Sequence, residues 1–162
     1  MLRQRKTFVL AACLIGTMLV ASTAGSAAEC KGYALASIEG EYAVVGTYAG
    51  EVAGLIGVSR TDRNGNVEGS ALVNIPGTNN TRLVVPISWT GVQIVNEDGT
   101  GTVSLTITLP NATQTVTQDF VITKAAKIDG VLKATELRTM QREPSGLVAG
   151  EFITDVLTRR PD

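Results

Sequence analysis

The chain contains no histidine. That absence excludes Ser-His-Asp and Cys-His catalysis, imidazole general bases, and the histidine-containing ligand sets of most catalytic zinc sites. Cysteine is almost as scarce, with only Cys13 and Cys30 among 162 residues, and thiolate metal clusters are excluded with it. A concentrated basic face is missing too. The 14 basic residues are outnumbered by 15 acidic ones, and Arg159-Arg160 is a pair rather than a patch, so nucleic acid is not an expected partner. Beyond the N-terminus no apolar run is long enough to cross a bilayer as a helix.

The N-terminus is where charge and hydropathy are organised. Arg3, Arg5 and Lys6 precede an uncharged, largely apolar run from Thr7 to Val20, and small residues follow to Ala28. This order is that of a secretory signal, with Ser26 and Ala28 suiting cleavage between Ala28 and Glu29. The run is about 14 residues long, whereas membrane spanning takes about 20. Residues 1–28 are therefore expected to be a signal peptide and 29–162 a single exported domain, periplasmic or secreted. Leu10-Ala11-Ala12-Cys13 resembles the motif before a lipid-modified cysteine, but too little apolar chain precedes it, and Cys13 reads as an apolar filler. Cleavage leaves Cys30 alone, which permits no intramolecular disulfide. It allows a homodimer linked through Cys30, or an unpaired thiol near a chain end.

In the remaining chain the dominant pattern is period-two alternation broken by glycine turns. Thr102 to Leu109 places Val103, Leu105, Ile107 and Leu109 on one face and hydroxyl residues on the other. Arg82 to Thr90 likewise sets Leu83, Val85, Ile87 and Trp89 opposite Pro86, a residue without an N–H that belongs at a sheet edge or bulge. Further strands are expected over Glu41–Tyr48, Gly54–Thr61, Val67–Ile75, Gly91–Asn96, Thr115–Thr123 and Val131–Met140. Asn64-Gly65, Asp98-Gly99 and Asp129-Gly130 mark turns between alternating runs. Leu147 to Thr158 suits a short amphipathic helix as well as a strand, and its β-branched content favours the strand. Eight or nine short strands joined almost sequentially imply an all-β fold, a small antiparallel up-and-down barrel of about eight strands. The alternative is a two-sheet β-sandwich.

No catalytic constellation, metal set or cofactor motif emerges. Asp62, Asn64, Asn66 and Glu68 have the spacing of a calcium loop, but Val67 and Val73 stand where such a loop needs glycine and a carboxylate, and a hairpin turn explains the same residues. Tyr42, Tyr48 and Trp89 lie on the apolar faces of their strands, as core residues or as the lining of a ligand cavity. Glu136 and Arg138, two apart on a strand, share a face with Leu132, Ala134 and Met140. Facing inward they would orient a ligand's polar group, or act as acid and electrostatic stabiliser; facing outward, with Val131, Thr135 and Leu137 inside, they are a surface ion pair.

Gly40-Glu41-Tyr42, Asp62-Arg63-Asn64-Gly65-Asn66 and Asp98-Gly99-Thr100-Gly101 together resemble a group of exported, uncharacterised bacterial β-proteins, in which a Gly-x-Tyr strand is followed by two such hairpins. More distantly the layout resembles calycin-type barrels, including those of the allene oxide cyclase type. That resemblance implies a barrel whose mouth suits a small apolar molecule, and it carries over no catalytic or ligand-contacting residue. Three functional readings follow: a non-catalytic binder of a small apolar ligand, a structural or homo-oligomeric component of the cell envelope, and a barrel isomerase or cyclase using Glu136 and Arg138.

Overall fold

The computed structural model describes residues 32–48, 53–143 and 152–161, with the backbone alone described at Tyr48. The expected leader, its junction at Ala28–Glu29, and Cys30 lie outside these residues. Within them the alternating segments form eight strands: β1 (Gly40–Tyr48), β2 (Ala53–Thr61), β3 (Asn66–Pro76), β4 (Arg82–Val95), β5 (Thr100–Leu109), β6 (Ala112–Ile128), β7 (Val131–Gln141) and β8 (Ile153–Arg159). Each pairs antiparallel with the next, and β8 returns to β1, closing an up-and-down barrel. Closure gives each strand a neighbour on both sides, and this barrel replaces the sandwich alternative. Among the described residues no helix is long and apolar enough to cross a membrane.

The inner face follows the alternation. Val103, Leu105 and Ile107 are buried while Ser104, Thr106 and Thr108 are exposed. Two strands are longer than the sequence suggests. Arg82–Thr90 and Gly91–Asn96 are one strand, β4, because Gly91 continues the ladder opposite Val67 and Leu105. Pro86 is paired with Leu72 on one side, but pairing with β5 begins only at Ser88, so the proline occupies a local edge. Strand β6 runs on through Lys124–Ile128 to a two-residue turn at Asp129-Gly130, both at positive φ. The ambiguous C-terminal segment is strand from Ile153 onward.

The barrel has a plugged end. A four-residue helix, α1 (Leu35–Ile38), lies across it with Ile38 1% exposed, packed in a cluster with Tyr42, Phe120, Ile122, Ala134 and Leu137. The turns at Asp62–Gly65 and Asn96–Gly99 belong to this end. Gly65 and Gly99 adopt positive φ there, and a side chain on either would run into Leu35 or Tyr33. Asp62 closes its own turn: its carboxylate accepts from the Asn64 and Asn66 amides, both at 2.8 Å, and from Asn66 Nδ2 at 2.7 Å.

Candidate functional site

The interior is where sequence and geometry combine into something other than core. Three inward glycines sit directly beside a bulky partner on the next strand: Gly69 beside Trp89, Gly101 beside Phe120, and Gly46 beside Asp155. In each case a Cβ on the glycine would overlap the neighbour's side chain. The first two pairs make room for aromatic rings that fill the barrel. The third makes room for a carboxylate.

Asp155 is 8% exposed, on the inner face of β8 between Ile153 and Leu157. Its Oδ2 accepts hydrogen bonds from Gln118 Nε2 and Thr139 Oγ1, each at 3.1 Å. Its Oδ1, beside Gly46, has no hydrogen-bond partner among the described residues. Burial pushes its pKa up to about 6, against the smaller opposing effect of those two donors. A buried acceptor left unsatisfied is uncommon and costly, so such an atom points to strain or to a binding role.

Asp155 lines a cavity of about 70 Å³ that runs between the inner faces of the strands. Most of its wall is apolar, with Val44, Leu55, Trp89, Leu105, Ile107 and Ile153 among the contributors. Its polar positions are mostly paired with each other: Gln93 Nε2 donates to Thr61 Oγ1 at 2.8 Å, and Trp89 Nε1 donates to Ser59 Oγ at 3.4 Å. Among the described residues of the wall Asp155 is the one ionisable side chain. Size limits what enters. An apolar cavity of about 150 Å³ holds benzene, and pockets for drug-sized ligands run from about 300 Å³ upward. The barrel is packed too well for a long lipid chain and leaves room for a molecule of a few heavy atoms.

The residues singled out from the sequence are dispersed. Tyr42 and Trp89 are buried on the inner face, 2% and 8% exposed. Trp89 lines the cavity. Tyr42 belongs to the plugged end, where its hydroxyl accepts from Arg159 Nη2 at 2.8 Å and donates to the Ala134 carbonyl at 3.3 Å; burial raises its pKa to about 12. Tyr48 ends β1, and its side chain lies outside the described residues.

Glu136 and Arg138 face outward, which corrects the reading that places them inside. Glu136 receives Thr123 Oγ1 at 2.8 Å and Lys124 Nζ at 2.6 Å, and Arg138 is 65% exposed. The expectation also joined them to Ala134, which is fully buried, and to Met140, which is exposed. The face changes because the register between β6 and β7 shifts twice around Lys124, leaving Thr123 and Thr135 as extra residues. Each such bulge reverses which side chains point inward. Leu137, Thr139 and Gln141 therefore face the interior, and so does Ala134 on the other side of the irregularity.

Asp155 was not legible as a site from composition or motif. The signal that could have found it is parity alone: once Ile153 to Arg159 is strand, Asp155 falls in the row of Ile153 and Leu157. No protein-family model matches the chain, and no curated protein matches it.

Proposed function

We propose that this protein is an exported, non-catalytic barrel that holds a small, mostly apolar molecule in its interior. The observation that carries the reading is the mostly apolar cavity whose wall includes one buried carboxylate, Asp155, with an oxygen left unpaired. Sites that bind small molecules combine an apolar wall with a few fixed polar groups. Export rests on the order of residues 1–28, a basic start, a short apolar run and small residues before Glu29. The lack of histidine and the outward Glu136 and Arg138 favour binding over catalysis.

The test is a titration of the purified protein with small neutral organic molecules such as ethanol and acetone, followed by methyl NMR. Saturable shifts at Val44, Leu55, Leu105 and Ile153 are expected. Shifts absent there for every small molecule tried, neutral or cationic, with the wall signals unchanged to high concentration, overturn the reading.

A second reading, a homo-oligomer, is favoured by one observation. On the outer face Val156, Val45, Ile56, Leu72 and Pro86 are directly paired neighbours across five strands. Val45, Ile56 and Leu72 are 57%, 65% and 51% exposed. A contiguous apolar row of this kind suits a second copy of the chain. Sedimentation at several concentrations, with and without reductant, decides it: a monomer throughout removes the reading.

A further inference from the structure

Among the described residues, the wall around Asp155 gives its charge no counterion. Its neighbours are Gly46 on β1, Thr139 on β7 and Gln118 on β6, all uncharged. The nearest cation along its own strand and face is Arg159, two inward positions away, and that guanidinium is bonded to Tyr42, Glu39 and Ala134. Gln118 and Thr139 spend their donors on Oδ2, and Oδ1 receives none. A neutral donor would satisfy the hydrogen bond and leave a net charge buried among apolar side chains. A cationic donor would satisfy both. Calcium and magnesium take about six or more oxygen ligands, which this mostly apolar wall does not offer.

We propose that the cavity takes a compact organic monocation, a short primary alkylammonium, whose nitrogen pairs with the Asp155 carboxylate while its alkyl end lies against Val44, Leu55 and Ile153. The proposal rests on the interior-binding reading above and adds the ligand's charge. Three features support it independently: the unpartnered oxygen, the glycine that clears space for it, and the volume. A cavity of about 70 Å³ admits two or three carbons beside a nitrogen. Gly46 has a role of its own here, since a side chain at that position would overlap Asp155 Oδ1 and push the carboxylate out of place.

The experiment compares ethylammonium with ethanol, a neutral molecule of the same size, by calorimetry and methyl NMR on the purified protein. Ethylammonium is expected to bind more tightly than ethanol. Asp155→Asn should weaken ethylammonium by about 10- to 100-fold, the range for losing a charge-assisted hydrogen bond, and weaken ethanol clearly less. A second measurement needs no variant. The amine keeps its proton at every pH used, so its affinity should fall by about tenfold per pH unit once Asp155 is protonated below about 6. Equal affinity for ethylammonium in Asp155→Asn, or affinity that does not change between pH 7.5 and 4.5, overturns the proposal. Ethanol binding inside the barrel without ethylammonium binding also overturns it but keeps the interior-binding reading. If neither molecule shifts the wall signals, both are wrong.

Discussion

Strand β8 turns two charged side chains inward, and they are treated in opposite ways. Arg159, at the plugged end, is surrounded by acceptors: Nε donates to the Ala134 carbonyl at 2.8 Å, and Nη2 to the Glu39 carbonyl at 2.6 Å and the Tyr42 hydroxyl at 2.8 Å. Its guanidinium also lies 5.0 Å from the centre of the Tyr42 ring, within cation–π range. Asp155, four residues earlier, has two neutral donors on one oxygen and none on the other. The same barrel that satisfies one buried charge leaves another open. Neighbouring sequence positions on one face do not share a role; the groups brought to them by other strands decide it.

The comparison breaks most visibly at Arg159. Replacing it with leucine removes three part-buried hydrogen bonds at once and releases the contact that ties α1 and strand β8 to β7. Arg159→Leu should cost about 3–5 kcal/mol, a large part of the stability of a small domain. Urea unfolding monitored by tryptophan fluorescence measures it. A loss below about 1 kcal/mol would show that the network is ornamental and that Arg159 is no better held than Asp155.

Asp155 should respond in the other direction. Its folded pKa, about 6, lies above its ordinary value of 3.8, so between pH 4 and 6 the folded state binds more protons than the unfolded chain. The stability it contributes is therefore present below about pH 4 and is lost as pH rises through 6, on the order of 3 kcal/mol in all. Glu39, Asp62, Asp98, Asp119 and Glu136 work with the opposite sign. Hydrogen bonds and nearby cations lower their pKa values, so what they contribute is present at neutral pH and lost as pH falls below their ordinary range. The informative quantity is the difference between the wild type and Asp155→Asn, measured by urea unfolding from pH 4 to 7.5. The amide variant should lack the downward slope between pH 4 and 6; the same slope in both proteins sinks the assignment.

How much of this could be read beforehand differs between the scaffold and the site. The barrel was legible wherever alternation was strict: Thr102–Leu109 and Val85–Trp89 point as their pattern says, because one face is dry and the other wet. Turn chemistry was legible too, since Asn64-Gly65 and Asp98-Gly99 sit where positive φ is needed. The plug was not, because Leu35–Ile38 is too short for a helical period to show. The candidate site was hidden for a different reason. Asp155 stands in a segment whose apolar residues fit a helix as well as a strand, and only the strand, set by pairing with β1 and β7, puts it in the inward row of Ile153 and Leu157. Long-range register of that kind leaves no mark in a local window.

Glu136 extends the comparison to the outside of the barrel and should show the smallest effect. Its carboxylate has more partners than Asp155 does, with Thr123, Lys124 and Arg138 all within reach. Yet Lys124 and Arg138 are 68% and 65% exposed, so water and salt screen what the contacts provide. Glu136→Gln should shift the melting temperature by no more than about 3 °C, and the shift should shrink further in concentrated salt. It should leave any interior binding untouched, since the double register shift at Thr123 and Thr135 holds this side chain on the far side of the sheet from the cavity. A larger loss that persists in salt would mean that Glu136 anchors the bulge itself, and that the parity reversal which turns Leu137 and Thr139 inward depends on an ion pair rather than on their packing.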